Sequence, residues 1–111
     1  MVNVTIFKKE SCGESYISGF HFSGHAGFAE SGKDIVCAGI SALVLTTINS
    51  IETFTDEHFT CEVEEASGDV QFSLIDIPGE KARLLLDSLV LGVTGIQETY
   101  KQYITLNFRE V

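Results

Sequence analysis

Twice along this chain, two short runs of alternating apolar residues joined by a polar turn give way to a stretch of helical period. That pattern constrains the fold more than any other feature. Residues 2 to 8, opening Val2-Asn3-Val4-Thr5-Ile6-Phe7, and residues 15 to 22 flank Lys9-Glu10-Ser11-Cys12-Gly13-Glu14, which reads as a hairpin with a polar turn. Val36, Ile40, Leu43, Val44 and Ile51 then recur at helical spacing, predicting a helix over about 35–53. Phe59, Cys61 and Val63 alternate with polar neighbours, as do Val70, Phe72 and Leu74, and Ala66-Ser67-Gly68-Asp69 between them makes a second turn. Pro78 opens a second helix, with Ala82, Leu85, Leu86, Leu89, Val93 and Ile96 as its stripe. Ile104, Leu106 and Phe108 alternate in a last, half-buried strand. The order is ββαββαβ, an α+β fold with a mostly antiparallel sheet packed with two helices.

With 111 residues, 44% of them apolar, the chain has enough material for one core and not for two, so residues 1–111 read as a single domain. The first helix is apolar nearly all round, which predicts burial on most sides. Leu84 and Leu91 fall off the second helix's stripe, and their exposure points to an interface between copies. The N-terminus carries no export signal, and the longest apolar run, Ala42-Leu43-Val44-Leu45, is far too short to span a bilayer. The expectation is a cytoplasmic protein without a membrane partner. Cys12, Cys37 and Cys61 match no disulfide or zinc framework and read as reduced thiols.

The net charge is −9, and Glu52, Asp56, Glu57, Glu62, Glu64, Glu65 and Asp69 fall in a stretch with no Lys or Arg. Such a field disfavours direct binding of nucleic-acid phosphate and attracts a basic partner, although acidic surfaces also serve solubility alone.

The chemically informative stretch is Gly24-His25-Ala26-Gly27-Phe28-Ala29-Glu30-Ser31-Gly32-Lys33-Asp34-Ile35-Val36-Cys37. Its polar, glycine-rich part, 23 to 33, reads as a mobile loop, and Asp34 as the N-cap of the helix that follows. Cys37 would then be the third helical residue, beside amide hydrogens that lack carbonyl partners and favour a thiolate. A loop histidine, His25, could accept the thiol proton and later protonate a leaving amine. Ser41, one turn after Cys37 on the same face, suits a supporting role, and the helix terminus an oxyanion site. Against this stand the commoner fates of such residues: a cysteine near a helix start is usually a small packed residue, and a loop histidine usually a surface one. Cys61 fits the inward side of a strand and reads as core, Cys12 sits in a turn, His21 lies in an aromatic-rich strand and His58 borders the acidic stretch. A metal site from His21, His25 and Cys37 lacks the paired spacing that zinc ligands show, so neither metal nor cofactor is expected.

Gly24-His25-Ala26, with the run Gly32-Lys33-Asp34-Ile35-Val36-Cys37-Ala38-Gly39-Ile40-Ser41-Ala42-Leu43, resembles the Prp family of ribosomal-processing cysteine proteases. The resemblance implies a catalytic dyad of His25 and Cys37, with Gly24, Asp34 and Ser41 in the matching active-site motif, and a homodimer. It also implies a substrate: the basic large-subunit ribosomal protein numbered twenty-seven, whose N-terminal extension is removed after a phenylalanine-containing apolar motif. Two other readings stay open: a non-catalytic acidic ribosome-associated adaptor, and a redox or metal-dependent thiol protein.

Overall fold

A computed structural model describes residues 1–24, 31–64 and 67–111. The elements follow the expected order: β1 (Val2–Ser11), β2 (Glu14–Ser23), α1 (Ser31–Phe54), β3 (Phe59–Glu64), β4 (Asp69–Leu74), α2 (Glu80–Thr99) and β5 (Ile104–Glu110). The β1–β2 turn is tight because Cys12 and Gly13 both take positive φ, 52° and 80°, as a two-residue hairpin of right-handed twist requires. The strands form one sheet in the order β3-β4-β2-β1-β5. All neighbours run antiparallel except β1 and β5, which are parallel. A parallel pair needs a long crossover, and here everything between the first hairpin and β5 supplies it.

The alternation of each strand sorts its side chains between two faces. Val4, Ile6, Phe20, Phe22, Val70, Phe72 and Leu74 point to one side and form a core with Val36, Ile40, Val44 and Ile51 of α1 and Leu86, Leu89 and Val93 of α2. At its centre the fully buried rings of Phe20 and Phe72 stack with centroids 5.0 Å apart. Thr5, His21, Gln71 and Glu62 lie across one another in register on the opposite face, which no described element covers.

Several expectations need correction. Helix α1 starts at Ser31, not near 35, so Asp34 lies inside the helix and is not its N-cap. Its apolar coverage is less buried than the sequence suggests: Ile35 and Leu45 are more than half exposed, because the sheet and α2 leave one flank bare. By length and composition Ile35–Phe54 could cross a membrane, with a mean hydropathy of 1.6, a property that the short run Ala42–Leu45 understates. Its buried stripe, however, is occupied in the core against the sheet, as in the core helix of a globular domain. The second helix starts at Glu80 with Gly79 as N-cap, leaving Pro78 just outside. Cys61 is exposed rather than core, because β3 is the edge strand of the sheet. Leu84 and Leu91 are exposed as expected.

One backbone contact tests this packing. A Cβ on Gly19 would lie 2.2 Å from the Phe72 carbonyl oxygen and 3.1 Å from Ser73 Cα, and both are backbone atoms of the paired strand. Gly19→Ala is therefore expected to lower stability by about 1–3 kcal/mol, as overpacked cores do. The fall should appear as a lower urea midpoint at unchanged m-value.

Candidate active site

Cys37 follows Val36, a fully buried member of the α1 stripe, so its side chain leaves the helix at the edge of the core. It is half-buried and packs against that core without belonging to it. The backbone just past β2 comes up against its sulfur. A Cβ on Gly24 would lie 3.1 Å from Cys37 Sγ and 2.8 Å from Phe22 Cζ, so the backbone just beyond β2 runs directly past the sulfur. The absence of a side chain at Gly24 permits that approach. On the other side of Gly24 stands the β3–β4 turn: Gly68, at φ 75°, would place a Cβ 3.1 Å from the Gly24 carbonyl oxygen. The thiol therefore sits at one end of the sheet, beneath the last residue of β2 and beside the second turn.

The electrostatic setting differs from the expectation. Cys37 is the seventh residue counted from Ser31, beyond the four amides that lack intrahelical partners. Its own amide belongs to the helical ladder, so neither a first-turn position for the thiol nor an oxyanion site built on that amide survives. Ser41 lies one turn further along α1, half-buried, and no described residue hydrogen-bonds its hydroxyl. Asp34 belongs to the helix backbone. His25 lies outside the described residues, as does most of the stretch expected to form a mobile loop.

The remaining titratable groups divide plainly. His21 Nε2 lies 3.5 Å from Asp69 on the open sheet face, and His58 Nδ1 lies 3.5 Å from Asp76, a partner that the sequence did not suggest. Among the described residues no cluster of three metal-ligating side chains occurs. Burial pushes the Cys61 thiol above its ordinary range, and the nearby Glu52 carboxylate adds to the effect by repelling the thiolate. What sequence reasoning missed is the role of Gly68 and the β3–β4 turn, which join the site only through tertiary packing.

Residues 1–105 match the family model described as cysteine protease Prp. The ribosomal processing cysteine protease Prp of Bacillus subtilis is 31% identical over 105 residues, covering 91% of this chain and 91% of that protein. The Staphylococcus aureus enzyme of that name is 30% identical over 96 residues, covering 86% of this chain and 91% of its own. A crystal structure of the S. aureus protease with a covalently linked product peptide superposes with a TM-score of 0.83 at 29% identity, covering 98% of this chain and 100% of that one. A Streptococcus mutans protein superposes with a TM-score of 0.86 at 25% identity, covering 100% and 99%.

Two outcomes follow from the geometry. Gly24→Ala pushes a methyl group against Cys37 Sγ and Phe22, and should lower peptidase activity on the order of 10²-fold through displacement of the thiol. Alkylation of Cys37 by iodoacetamide, read by mass, should slow in parallel. Because its protonated form is favoured, Cys61 should need a higher pH for alkylation than an ordinary cysteine thiol, despite being exposed. Glu52→Gln should bring its reaction to lower pH, and an unchanged rate profile would remove the Glu52 contribution.

Proposed function

The chain belongs to the Prp family of ribosomal processing cysteine proteases, and from that premise we propose that Cys37 is its nucleophile and His25 the acid and base that serves it. The observation that carries this reading is the approach of Gly24 to the sulfur. His25 follows Gly24 directly in the chain, and that adjacency is what supports pairing it with the thiol.

In the proposed reaction the thiol proton passes to the His25 imidazole as sulfur attacks the scissile carbonyl carbon. The imidazolium then gives its proton to the leaving amine as the C–N bond breaks, leaving a thioester. Water attacks the thioester carbon, losing a proton to His25, and the thiol is restored when the carboxylate product departs. No cofactor enters this sequence. Gly24 serves by leaving room over the sulfur; Asp34 and Ser41 have supporting roles.

The substrate we propose is the N-terminal extension of the large-subunit ribosomal protein numbered twenty-seven, cleaved after a phenylalanine-containing apolar motif in the cytoplasm. Two features support it. Solved S. aureus relatives are described in complex with a substrate peptide and with a covalently linked product peptide. The net charge of −9 suits a basic ribosomal protein as partner. A homodimer is part of the proposal, supported by Leu84 and Leu91, 67% and 76% exposed on α2.

The test is a synthetic peptide of that extension, incubated with the protein and with a thiol-alkylated sample, its products identified by mass. Cleavage should disappear on alkylation and in Cys37→Ser. His25→Ala should lower kcat by about 10²- to 10⁴-fold, the usual weight of general acid and base catalysis. Cleavage should also slow as salt rises, since screening weakens the attraction between acidic enzyme and basic peptide. Intact cleavage by Cys37→Ser would end the proposal.

A further inference from the structure

The exposed edge of β3 is the surface that the catalytic reading leaves unexplained. Between β3 and β4 the Ile75 amide donates to the His58 carbonyl. In an antiparallel ladder mutually bonded pairs alternate, so the register makes Thr60 and Ser73, Glu62 and Gln71, and Glu64 and Asp69 the bonded pairs. The amides and carbonyls of Cys61 and Val63 then point away from β4, out of the sheet, where no described residue meets them. A free row of this kind is a template for another strand.

The side chains of that row give it a chemical character. Cys61 and Val63 stand opposite the buried Phe72 and Val70 and so share the sheet face on which α1 and Cys37 lie. Although Glu52 of α1 lies close enough to act on its thiol, Cys61 is exposed and Val63 is 57% exposed, a small apolar shelf. Glu62 and Glu64 project from the other face, within the stretch 51–69 that holds no Lys or Arg. The opposite sheet edge, β5, carries Arg109 with Glu110, the latter in register with Lys8 of β1, so its charges offset and offer no comparable acidic field to a basic partner.

The edge also leads to the thiol. Gly68 of the β3–β4 turn packs on the Gly24 carbonyl, and Gly24 packs on Cys37 Sγ. The Val63 end of β3 is thus at the same end of the sheet as the sulfur, two strand spacings or about 10 Å across. A peptide added outside β3 lies one spacing further out, about 14 Å from the end of β2, and at about 3.3 Å per residue roughly four residues bridge the gap.

We propose that the substrate docks as an added strand on the free edge of β3, its apolar side chains on the Cys61–Val63 shelf and its Lys or Arg side chains against Glu62 and Glu64. This rests on the protease reading above and names how that site holds its peptide. Backbone bonds supply affinity without regard to sequence, and the alternation of shelf and carboxylates reads a pattern of apolar and basic residues.

Val63→Pro tests it, because proline removes an outward amide hydrogen while leaving the ladder to β4 intact. With the synthetic extension peptide, KM should rise about three- to tenfold, the weight of one hydrogen bond, with kcat and the rate of Cys37 alkylation unchanged. Glu62→Lys with Glu64→Lys should raise KM and flatten its salt dependence. Copies of the peptide N-methylated at one position at a time should lose affinity with a two-residue period. An unchanged KM in Val63→Pro together with no such period would overturn the proposal and leave the acidic edge as a guard against aggregation. If circular dichroism shows Val63→Pro unfolded, the N-methyl series on the unaltered protein decides alone. If the unaltered protein does not cleave the peptide, the protease reading fails separately. Fluorescence anisotropy of peptide binding to Cys37→Ala, with and without Val63→Pro, then decides the docking: weaker binding upholds it and equal binding sinks it.

Discussion

The stripe of α1 pressed onto the sheet is the contact from which the rest of the architecture follows. Val36, Ile40, Val44 and Ile51 meet the face presented by Ile6, Phe20 and Phe72, and all seven are essentially closed to solvent. Burying side chains of this size stabilises by roughly 1.5–3 kcal/mol each, so the rotation of α1 about its own axis is not free. Once Val36 is committed to the core, Cys37 must emerge at the stripe's margin, at the end of the sheet where β2 finishes. The thiol is placed by its neighbour's hydrophobicity.

That placement also sets what crowds the thiol. Gly24 brings main chain up to the sulfur beside the Phe22 ring, and Gly68 in turn packs on the Gly24 carbonyl oxygen, so a Cβ at either glycine would be crowded. Under the proposed reading, chain packed this closely covers one side of the thiol and would leave the other for a substrate carbonyl. The acidic flank lies across two strands from this point, carried by an edge strand whose side chains are mostly exposed. On the same reading, a basic peptide drawn to that flank would arrive near the sulfur, so that charge distribution and chemistry would act on the same end of the molecule.

Much of this was legible in the chain itself. The seven elements and their order follow from two periodicities, 2 and 3.6, and the strong stripes of both helices leave little ambiguity. The helix starts were the weak point. Asp34 is a good capping residue, yet α1 extends back to Ser31 through Gly32 and Lys33, because capping preference is worth only about 1 kcal/mol. Cys61 shows the complementary failure: alternation assigns it to the inner face correctly, but which strands lie at the edge depends on pairing, and an inner-face residue on an edge strand need not be covered.

From its sequence alone this protein had its fold class, its family and the pair of residues proposed for its chemistry, since periodicity and a contiguous motif are local properties of a chain. Only the tertiary structure decided that β5 joins β1 in parallel, that β3 is left as a free acidic edge, and that the turn at Gly68 abuts the thiol through Gly24. Those are contacts between residues far apart along the chain, set by how the two helices and the sheet exclude water together, and no spacing within a short window encodes them.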